Sequence, residues 1–383
     1  MTRAMQIAPA HLNQARAVAS ILLLVGGAAL ADGVTIGGRL DVGLQSIDDG
    51  TSKTTRVDSG TYGFSRLFFK GVEDLGGGLG ALFYLEHRFN ADTGLQINPV
   101  KYWNGGSYVG LSSTRWGTLT LGRQFPPIFY TIVSADESGP GHGHGYTAMA
   151  SMQRTDLFRI AAAASPVKVA GSFDVIAGGI HSVAFSSGLE DNLVAYASPT
   201  FSGATVRLAA GLPEGYLAGN SKIFGSNVEY RNGRFFGSVA VNSKEGRVPA
   251  GGAATQKLRE AVVSGMYGPN SAWKVWGNMH PWTFNSPGAE IRGHDWIIGG
   301  SYWLPMGQLW LSYGRKKVGN CGSCNSAGLG TGYHHLLSKR TELYVSYARV
   351  GNQANAANTL NGFAPGAPGQ GVQGLAAGIA HSF

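Results

Sequence analysis

Two cysteines, in the motif Cys321-Gly322-Ser323-Cys324, are the first residues whose spacing suggests chemistry. Such a pair could be a redox motif or half of a zinc site. No thioredoxin-like strand–helix–strand pattern surrounds it, however, and the sequence has no second cysteine pair. If the chain is exported, it passes an oxidising compartment. We therefore expect a small loop disulfide between Cys321 and Cys324.

Two histidines, His142 and His144, alternate with glycines and resemble metal ligands. A structural metal site needs further His, Cys or acidic ligands, and none lies close in the sequence.

The glycines at 76–78 resemble a phosphate-binding loop, but no Lys-Ser/Thr pair follows them and no helix is indicated behind them. The sequence predicts no metal and no cofactor.

An enzyme is one alternative, since His280 and His294 flank a stretch with Ser286 and Asp295. No motif for a nucleophile accompanies these residues, so a catalytic function is not expected. A surface adhesin is a second alternative, and nothing in the polar segments of the sequence favours it.

The composition limits the class of protein. Of 383 residues 43% are hydrophobic, 14% are charged and 59 are glycine, and the formal net charge is +8. The charged fraction lies well below the ~25% of an average soluble domain, which argues against a typical cytosolic enzyme. The 10% of aromatic residues argues against disorder, because this chain can bury a core.

The N-terminus resembles a secretory signal. Arg3 and Arg16 are the only charges before Asp32, residues 17–30 are almost wholly apolar, and small residues follow at 29 and 31. The alternative, a transmembrane helix, needs ~20 apolar residues, and only ~14 are present. We expect residues 1–31 to be a cleaved signal peptide and residues 32–383 to form one domain.

Alternation of apolar and polar residues then dominates the chain. Residues 35–45 and 340–347 each place apolar side chains at every second position, as half-buried strands do. Short turn signals separate pairs of such strands at 76–78, 114–117, 199–203, 232–233, 269–270, 305–307 and 338–339. Longer polar stretches lie at 46–61, 90–105, 125–190, 212–222, 243–256, 283–292, 318–327 and 351–370.

Short turns and long loops alternate regularly along the chain. This pattern predicts an all-β fold, namely a transmembrane antiparallel β-barrel of about sixteen strands. A soluble β-sandwich also alternates, but here aromatic residues cluster near strand ends, as in the girdles of membrane barrels. The last strand places Leu375, Ile379 and Phe383 on one face. A terminal aromatic residue in such a strand is a signal for the outer-membrane assembly machinery, and Phe383 is assigned that role.

Several blocks resemble the trimeric general porins of Gram-negative bacteria, of the β-proteobacterial type. The blocks are residues 64–79 (FSRLFFKGVEDLGGGL), 108–112 (YVGLS), 117–124 (GTLTLGRQ), 196–203 (YASPTFSG) and 337–344 (LSKRTELY). The resemblance implies an outer-membrane homotrimer of sixteen-stranded barrels, each with its third loop folded into the pore. Implied partners are small hydrophilic solutes and ions, outer-membrane lipid and lipopolysaccharide, but no nucleic acid.

The sequence departs from this family in three places. Asn104-Gly105-Gly106 stands where an arginine is common, and Phe68 stands where a small residue is common. If Phe68 faces the lumen, it would narrow the pore. The third-loop region, 125–190, is long; its segment 160–184 is apolar enough to add a hairpin, and the alternative barrel would then have eighteen strands.

A pore selects solutes by its width and by the charges that line it. Alternation turns Arg39, Arg66, Lys70 and Arg88 toward the lumen, beside the third loop, and we expect them to form the wall of the constriction. Arg207 and Lys274 are expected simply to face water. Acidic residues with the same parity are Asp41, Glu86, Glu229 and Glu342.

Strict parity places Arg123 among lipid-facing leucines, which is costly for a charge. A bulge that turns Arg123 inward is expected instead, in agreement with the basic pore wall of the family. In the resembling porins, loop acids oppose that wall, which implies such a role for Asp136 and Glu137; they could also be solvated loop acids. The resemblance implies a passive diffusion channel, and the net positive charge at the constriction predicts a modest anion preference. The alternative is a saturable, solute-specific channel, for example for anionic metabolites.

Overall fold

The computed structural model describes residues 33–135, 188–211, 222–248, 254–268, 272–286, 289–360 and 363–383. Within them lie seventeen antiparallel strands and one short helix. The first strands are β1 (Gly33–Asp48), β2 (Lys53–Ser59), β3 (Arg66–Gly76), β4 (Leu79–Arg88), β5 (Ser107–Ser113) and β6 (Gly117–Gln124), followed by helix α1 (Pro127–Val133). Next come β7 (Glu190–Ala197), β8 (Ala204–Gly211), β9 (Lys222–Asn232), β10 (Phe235–Val248), β11 (Ala254–Tyr267) and β12 (Trp273–Ser286). The last are β13 (Ala289–Leu304), β14 (Gly307–Val318), β15 (Ser326–Leu336), β16 (Thr341–Asn352) and β17 (Val372–Ser382). The proposed signal peptide, 1–31, and the segment 160–184 lie outside the described residues.

The sheet closes on itself because β1 pairs with β17 on one side and with both β2 and β3 on the other. Strand β2 pairs with the second half of β1, from Val42 to Asp48, whereas β3 pairs with the first half, from Gly33 to Arg39. Because β2 and β3 share one place in the wall, the seventeen strands form a closed sixteen-stranded antiparallel barrel. The prediction of about sixteen strands is confirmed.

Alternation along each strand separates an apolar outer row from an inner row. In β14, Leu309, Leu311 and Tyr313 are exposed on the outside of the wall, while Trp310 and Ser312 are buried inside. The same apolar outer row continues around the barrel, for example at Leu40, Val109, Val194, Val228, Val263, Leu343 and Leu375. Exposed apolar side chains over a whole wall indicate that lipid, not water, surrounds them.

Predicted short turns coincide with the connections at one end of the barrel, such as Gly77–Gly78 between β3 and β4. The predicted loop at 46–61 is wrong. β1 continues to Asp48 and β2 begins at Lys53, with a tight turn in which Asp49 accepts hydrogen bonds from the N–H groups of Ser52 (2.7 Å) and Thr51 (2.8 Å). These donors hold the pKa of the Asp49 carboxyl below its usual range. Strands that extend beyond the membrane are polar on both faces, so alternation does not reveal them.

Helix α1 begins the third-loop region and packs inside the barrel. Ile128 contacts Ala240 and Val262, which belong to the inner rows of β10 and β11. Thr131 Oγ1 lies 2.8 Å from Ser238 Oγ and accepts a bond from Asn227 Nδ2 at 3.2 Å. The chain therefore turns into the pore directly after β6. In the described part of the chain no helix is long and apolar enough to cross a membrane.

Candidate functional site: a charged pore wall

One basic cluster on the inner wall surrounds a single carboxylate. Arg66 and Arg88 are register partners on β3 and β4, and Glu86 lies in the same inner row. Glu86 Oε1 accepts a bond from Arg88 Nε at 2.5 Å, and Glu86 Oε2 lies 3.8 Å from Arg66 Nη1. Tyr84 donates its hydroxyl to the same carboxylate at 2.6 Å. Among the described residues, two guanidinium groups thus share one carboxylate at this point of the wall.

A second cluster joins the two ends of the chain. Arg39 Nη2 lies 2.7 Å from Glu342 Oε1, and the other oxygen of Glu342 lies 3.1 Å from His334 Nδ1. His334 also contacts Gln308 Oε1 at 3.1 Å. Because β17 separates β1 from β16 in the wall, this row of side chains crosses the seam where the barrel closes.

The connection between β2 and β3 bends inward over this seam. The ring of Tyr62 stacks on Tyr344 with centroids 4.7 Å apart, and the Arg39 guanidinium lies 5.6 Å from the centre of the Tyr62 ring. Asp41 is fully buried and accepts bonds from the Tyr344 hydroxyl (2.7 Å) and the Gly63 N–H (2.6 Å). Donors thus surround the Asp41 carboxyl and remove it from the water of the pore.

Lys70 and Phe68 follow Arg66 in the same inner row of β3. The Lys70 ammonium lies 5.8 Å from the centre of the Phe68 ring, and among the described residues it forms no ion pair. The Phe68 ring covers its register partner Gly37: a Cβ on Gly37 would lie 2.5 Å from Phe68 Cζ. Phe68 therefore faces the lumen but lies along the wall, in space that only a glycine leaves open.

Arg207 and Glu229 lie in the inner rows of β8 and β9 and form an ion pair, with Arg207 Nη2 donating to Glu229 Oε1 at 3.0 Å. The Arg207 guanidinium also stacks on the ring of Tyr130 in α1, 4.7 Å from its centre. Arg207 thus anchors the helix that enters the pore, which is more than the solvated role expected from its parity. Lys274 has inner-row parity, since its register partner is the buried Ser301.

Arg123 lies where the pairing of β6 with β7 is irregular, between Gly122 and Gln124. Its register partner on β5 is Ser107, which has the parity of the exposed Val109. The irregularity between β6 and β7 places an extra residue in β7 and leaves the parity of β6 unchanged. The guanidinium donates to Asp191 Oδ1 (2.6 Å) and to the carbonyls of Leu189 (3.1 Å) and Asn104 (3.1 Å). These partners satisfy the charge of the Arg123 guanidinium at the rim of the barrel.

The Asn104-Gly105-Gly106 segment extends the pairing of β4 in place of the arginine that the resemblance predicts. The side-chain amide of Asn104 exchanges bonds of 2.7 and 2.8 Å with the backbone of Arg88. A Cβ on Gly105 would lie 2.5 Å from Glu86 Oε1. Glycine therefore leaves room for the carboxylate that Arg66 and Arg88 share.

Two buried clusters of the lumen were not predicted, although His280 and Asp295 of the second one were named in the sequence analysis. Lys244 of β10 is fully buried and its ammonium lies 2.7 Å from Glu190 Oε1, at the start of β7. His280 lies between Glu260 and Asp295, with each ring nitrogen 3.0 Å from one carboxylate oxygen. Parity would have placed Lys244, Glu260, His280 and Asp295 in inner rows, but Glu190 has the parity of the exposed Val194 and faces inward only because of the extra residue in β7. Nothing in the sequence pairs these side chains.

The remaining residues that the sequence analysis singled out lie partly inside and partly outside the described ranges. Asp136, Glu137, His142 and His144 lie outside the described residues. In the described ranges, no group of three or more His, Cys, Asp or Glu is arranged to hold a metal ion. A disulfide joins Cys321 and Cys324, with Cα atoms 5.7 Å apart. Phe383 exchanges two backbone hydrogen bonds of 3.1 Å with Gly38.

Comparisons with known proteins agree with this architecture. Residues 17–355 match the family model described as Gram-negative porin. Outer membrane porin protein 32 of Delftia acidovorans is 28% identical over 354 residues, which cover 88% of this chain and 89% of the relative. An outer membrane porin protein of Bordetella pertussis is 31% identical over 147 residues, 34% of this chain and 38% of the relative.

Solved structures share the fold. An anion-selective porin from Comamonas acidovorans superposes with a TM-score of 0.73 at 24% identity, covering 92% of this chain and all of that one. The trimer form of OmpT, an outer membrane protein of Vibrio cholerae, gives a TM-score of 0.65 at 13% identity, with 92% of this chain and all of that one covered.

Proposed function

Because the chain belongs to the Gram-negative porin family and forms a channel in the outer membrane, we propose that this channel conducts small hydrophilic solutes and ions passively with a modest preference for anions. The channel assignment follows from the family. The anion preference goes beyond the family assignment and rests on the charged residues that line the inner wall.

The observation that supports the anion preference is the sharing of Glu86 by Arg66 and Arg88, at 3.8 and 2.5 Å. Arg39 is balanced by Glu342, and Asp41 is enclosed by donors, whereas Lys70 has no ion pair in the described chain. The inner face of β1, β3 and β4 thus carries more positive than negative charge. In a narrow channel with low-dielectric walls, such a surplus raises the local concentration of anions.

The test is the reversal potential of the purified protein in planar bilayers under a gradient of KCl. A modest anion preference predicts a reversal potential displaced from zero toward the chloride equilibrium potential. The displacement should shrink as the salt concentration rises and screens the charges of the wall. A reversal potential on the cation side at low salt would refute the proposal.

A solute-specific channel for anionic metabolites is the second candidate, and it rests on the same basic wall. Conductance or uptake that is linear in solute concentration supports general diffusion. Saturation of uptake by a small organic anion would favour the specific channel instead.

We further propose a homotrimer, with a signal peptide removed at residue 31, a third loop whose acids Asp136 and Glu137 oppose the basic wall, and insertion directed by Phe383. The trimer form of OmpT supports the oligomeric state. Unheated electrophoresis and crosslinking of the purified protein should give a trimer that dissociates on heating. A monomer in both assays would contradict the homotrimer.

A further inference from the structure

An aromatic ring and two cations alternate along the inner row of β3. Arg66, Phe68 and Lys70 face the lumen, since their register partners on β4 are all buried residues of the inner row. Successive inner positions of a strand lie ~7 Å apart. The Phe68 ring therefore lies between a guanidinium and an ammonium in this row, and all three side chains are partly exposed.

The Phe68 ring lies along the wall and not across the channel. Its tip covers Gly37, where a Cβ would lie 2.5 Å from Phe68 Cζ. A ring in this orientation turns one face to the wall and the other to the channel. The ring of Tyr84, with its centroid 5.9 Å away and its plane tilted by 24°, supports Phe68 from the neighbouring strand and is itself only 8% exposed. A solute that passes this part of the wall can therefore stack on Phe68.

The two cations beside the ring have donors left for an anion. Lys70 Nζ lies 5.8 Å from the centre of the Phe68 ring, and Lys70 forms no ion pair with any described residue. Arg66 Nη1 lies 3.8 Å from Glu86, which is beyond hydrogen-bond distance, because Arg88 binds the same carboxylate at 2.5 Å. Arg66 Nε has no hydrogen-bond partner in the described chain. A solute carboxylate can accept a charge-assisted bond from either cation.

This row lies at the level where the third-loop region enters the pore. The register partner of Arg66 is Arg88, and the Arg88 guanidinium lies 5.9 Å from the centre of the Phe125 ring. Phe125 stands two residues before α1, which packs inside the barrel. The inward turn of the chain narrows the lumen here, so solutes pass close to the inner row of β3.

We infer that Arg66, Phe68 and Lys70 bind small aromatic carboxylates, with the ring of the solute stacked on Phe68 and its carboxylate on Lys70 or Arg66. The inference rests on the proposed anion preference and adds the chemical class of the anion. The cations alone accept any anion, and the ring alone accepts any apolar solute. Together they favour a solute that carries both groups, because paired rings contribute more than the burial of their area.

Block of the chloride current by organic anions in planar bilayers tests this site. Benzoate and cyclohexanecarboxylate have the same charge and nearly the same size, but only benzoate has an aromatic face. Benzoate should block at a concentration about threefold to tenfold lower, the range that an aromatic pair contributes. Phe68→Leu should bring the two concentrations together, because leucine keeps an apolar side chain without a ring. Phe68→Tyr should retain the difference, and Lys70→Gln should weaken block by both anions.

Trp310→Leu is the matched control. Trp310 also covers a glycine of the inner wall, since a Cβ on Gly332 would lie 2.7 Å from Trp310 Cζ2. The Trp310 side chain is only 3% exposed, however, and its inner-row neighbours on β14, Gln308 and Ser312, carry no charge. This variant should keep the preference for benzoate. The heat-dependent gel shift shows that each variant has formed a barrel.

Equal block by the two anions in the wild-type channel would overturn the inference. An unchanged preference for benzoate in Phe68→Leu would also overturn it, because the ring would then not be the group recognised. The reversal potential in KCl tests the proposed anion preference separately. A channel that prefers chloride but does not distinguish benzoate from cyclohexanecarboxylate therefore refutes this inference and leaves the proposed function standing.

Discussion

Arg39 and Glu342 are 303 residues apart in the chain, yet their side chains form an ion pair of 2.7 Å across the barrel seam. Between their strands lies β17, whose inward residues near the pair, Ala380 and Ser382, are small. The ion pair can therefore pass over β17 and connect β1 to β16, the fifteenth place in the wall.

Glu342→Gln should weaken the barrel, because it leaves the Arg39 guanidinium buried without its counter-charge. Breaking a buried pair costs about 3–5 kcal/mol, and the side chains of Arg39 and Glu342 are only 13% and 9% exposed. We expect the temperature of the heat-dependent gel shift to fall. Glu245→Gln is the control, since its pair with Lys257 is long (3.5 Å) and exposed and contributes ~0–1 kcal/mol. Equal shifts in both variants would contradict this account.

Arg66→Glu/Lys70→Glu should move the reversal potential in a KCl gradient toward cations. The change reverses the sign of the surplus charge around Glu86 in the inner wall, where the field is focused. Lys339→Glu/Arg340→Glu alters charge equally at a periplasmic turn and should shift the potential much less. An unchanged potential in the first variant would mean that these residues do not line the narrowest part of the pore.

Arg123→Gln should leave the selectivity of the pore intact, because Arg123 has outer-row parity. Its guanidinium and the Lys101 ammonium both bind Asp191, and its bonds to the Asn104 carbonyl fasten the loop at 89–106. The variant should therefore be cleaved faster by trypsin at Lys101 on intact cells. A marked change in reversal potential with unchanged proteolysis would return Arg123 to the pore wall.

Phe68 and Gly37 allow a test of pore width in both directions. Phe68→Ala should raise single-channel conductance, because it removes a ring from the lumen face. Gly37→Ala should lower conductance, because its Cβ would displace the ring from the wall into the channel. Conductance that responds to neither substitution would show that the narrowest section lies elsewhere.

Cys321 and Cys324 should be joined by a disulfide in protein extracted from cells. This disulfide should nevertheless be dispensable for assembly. It closes a very short loop, so it removes little entropy from the unfolded chain. Asn355 also holds this loop through bonds to the carbonyls of Ser323 (2.9 Å) and Gly322 (2.7 Å). The double Ser variant should form normal trimers. Alkylation of both thiols without reduction would refute the oxidation, and failure to assemble would refute the dispensability.

Parity alone allowed the outer and inner rows to be predicted, because lipid accepts only apolar side chains and the lumen accepts polar ones. The same reasoning failed at the ends of the strands, where water and not lipid surrounds the outer face and both faces can be polar. The polar ends of β1 and β2 resembled a loop, and Arg123 at the rim has polar partners. Ion pairs such as Lys244–Glu190 were not predicted, because they join segments whose approach depends on the closed barrel.

The double backbone link between Gly38 and Phe383 has a consequence for the order of folding. Strand β3 follows β1 closely in the sequence and can pair with one edge of β1 early. The partner of the other edge is β17, which is synthesised last. Closing so large a loop is entropically the most expensive step and the slowest. An incomplete chain therefore keeps an open edge on β1, and only a full-length chain can leave the assembly pathway.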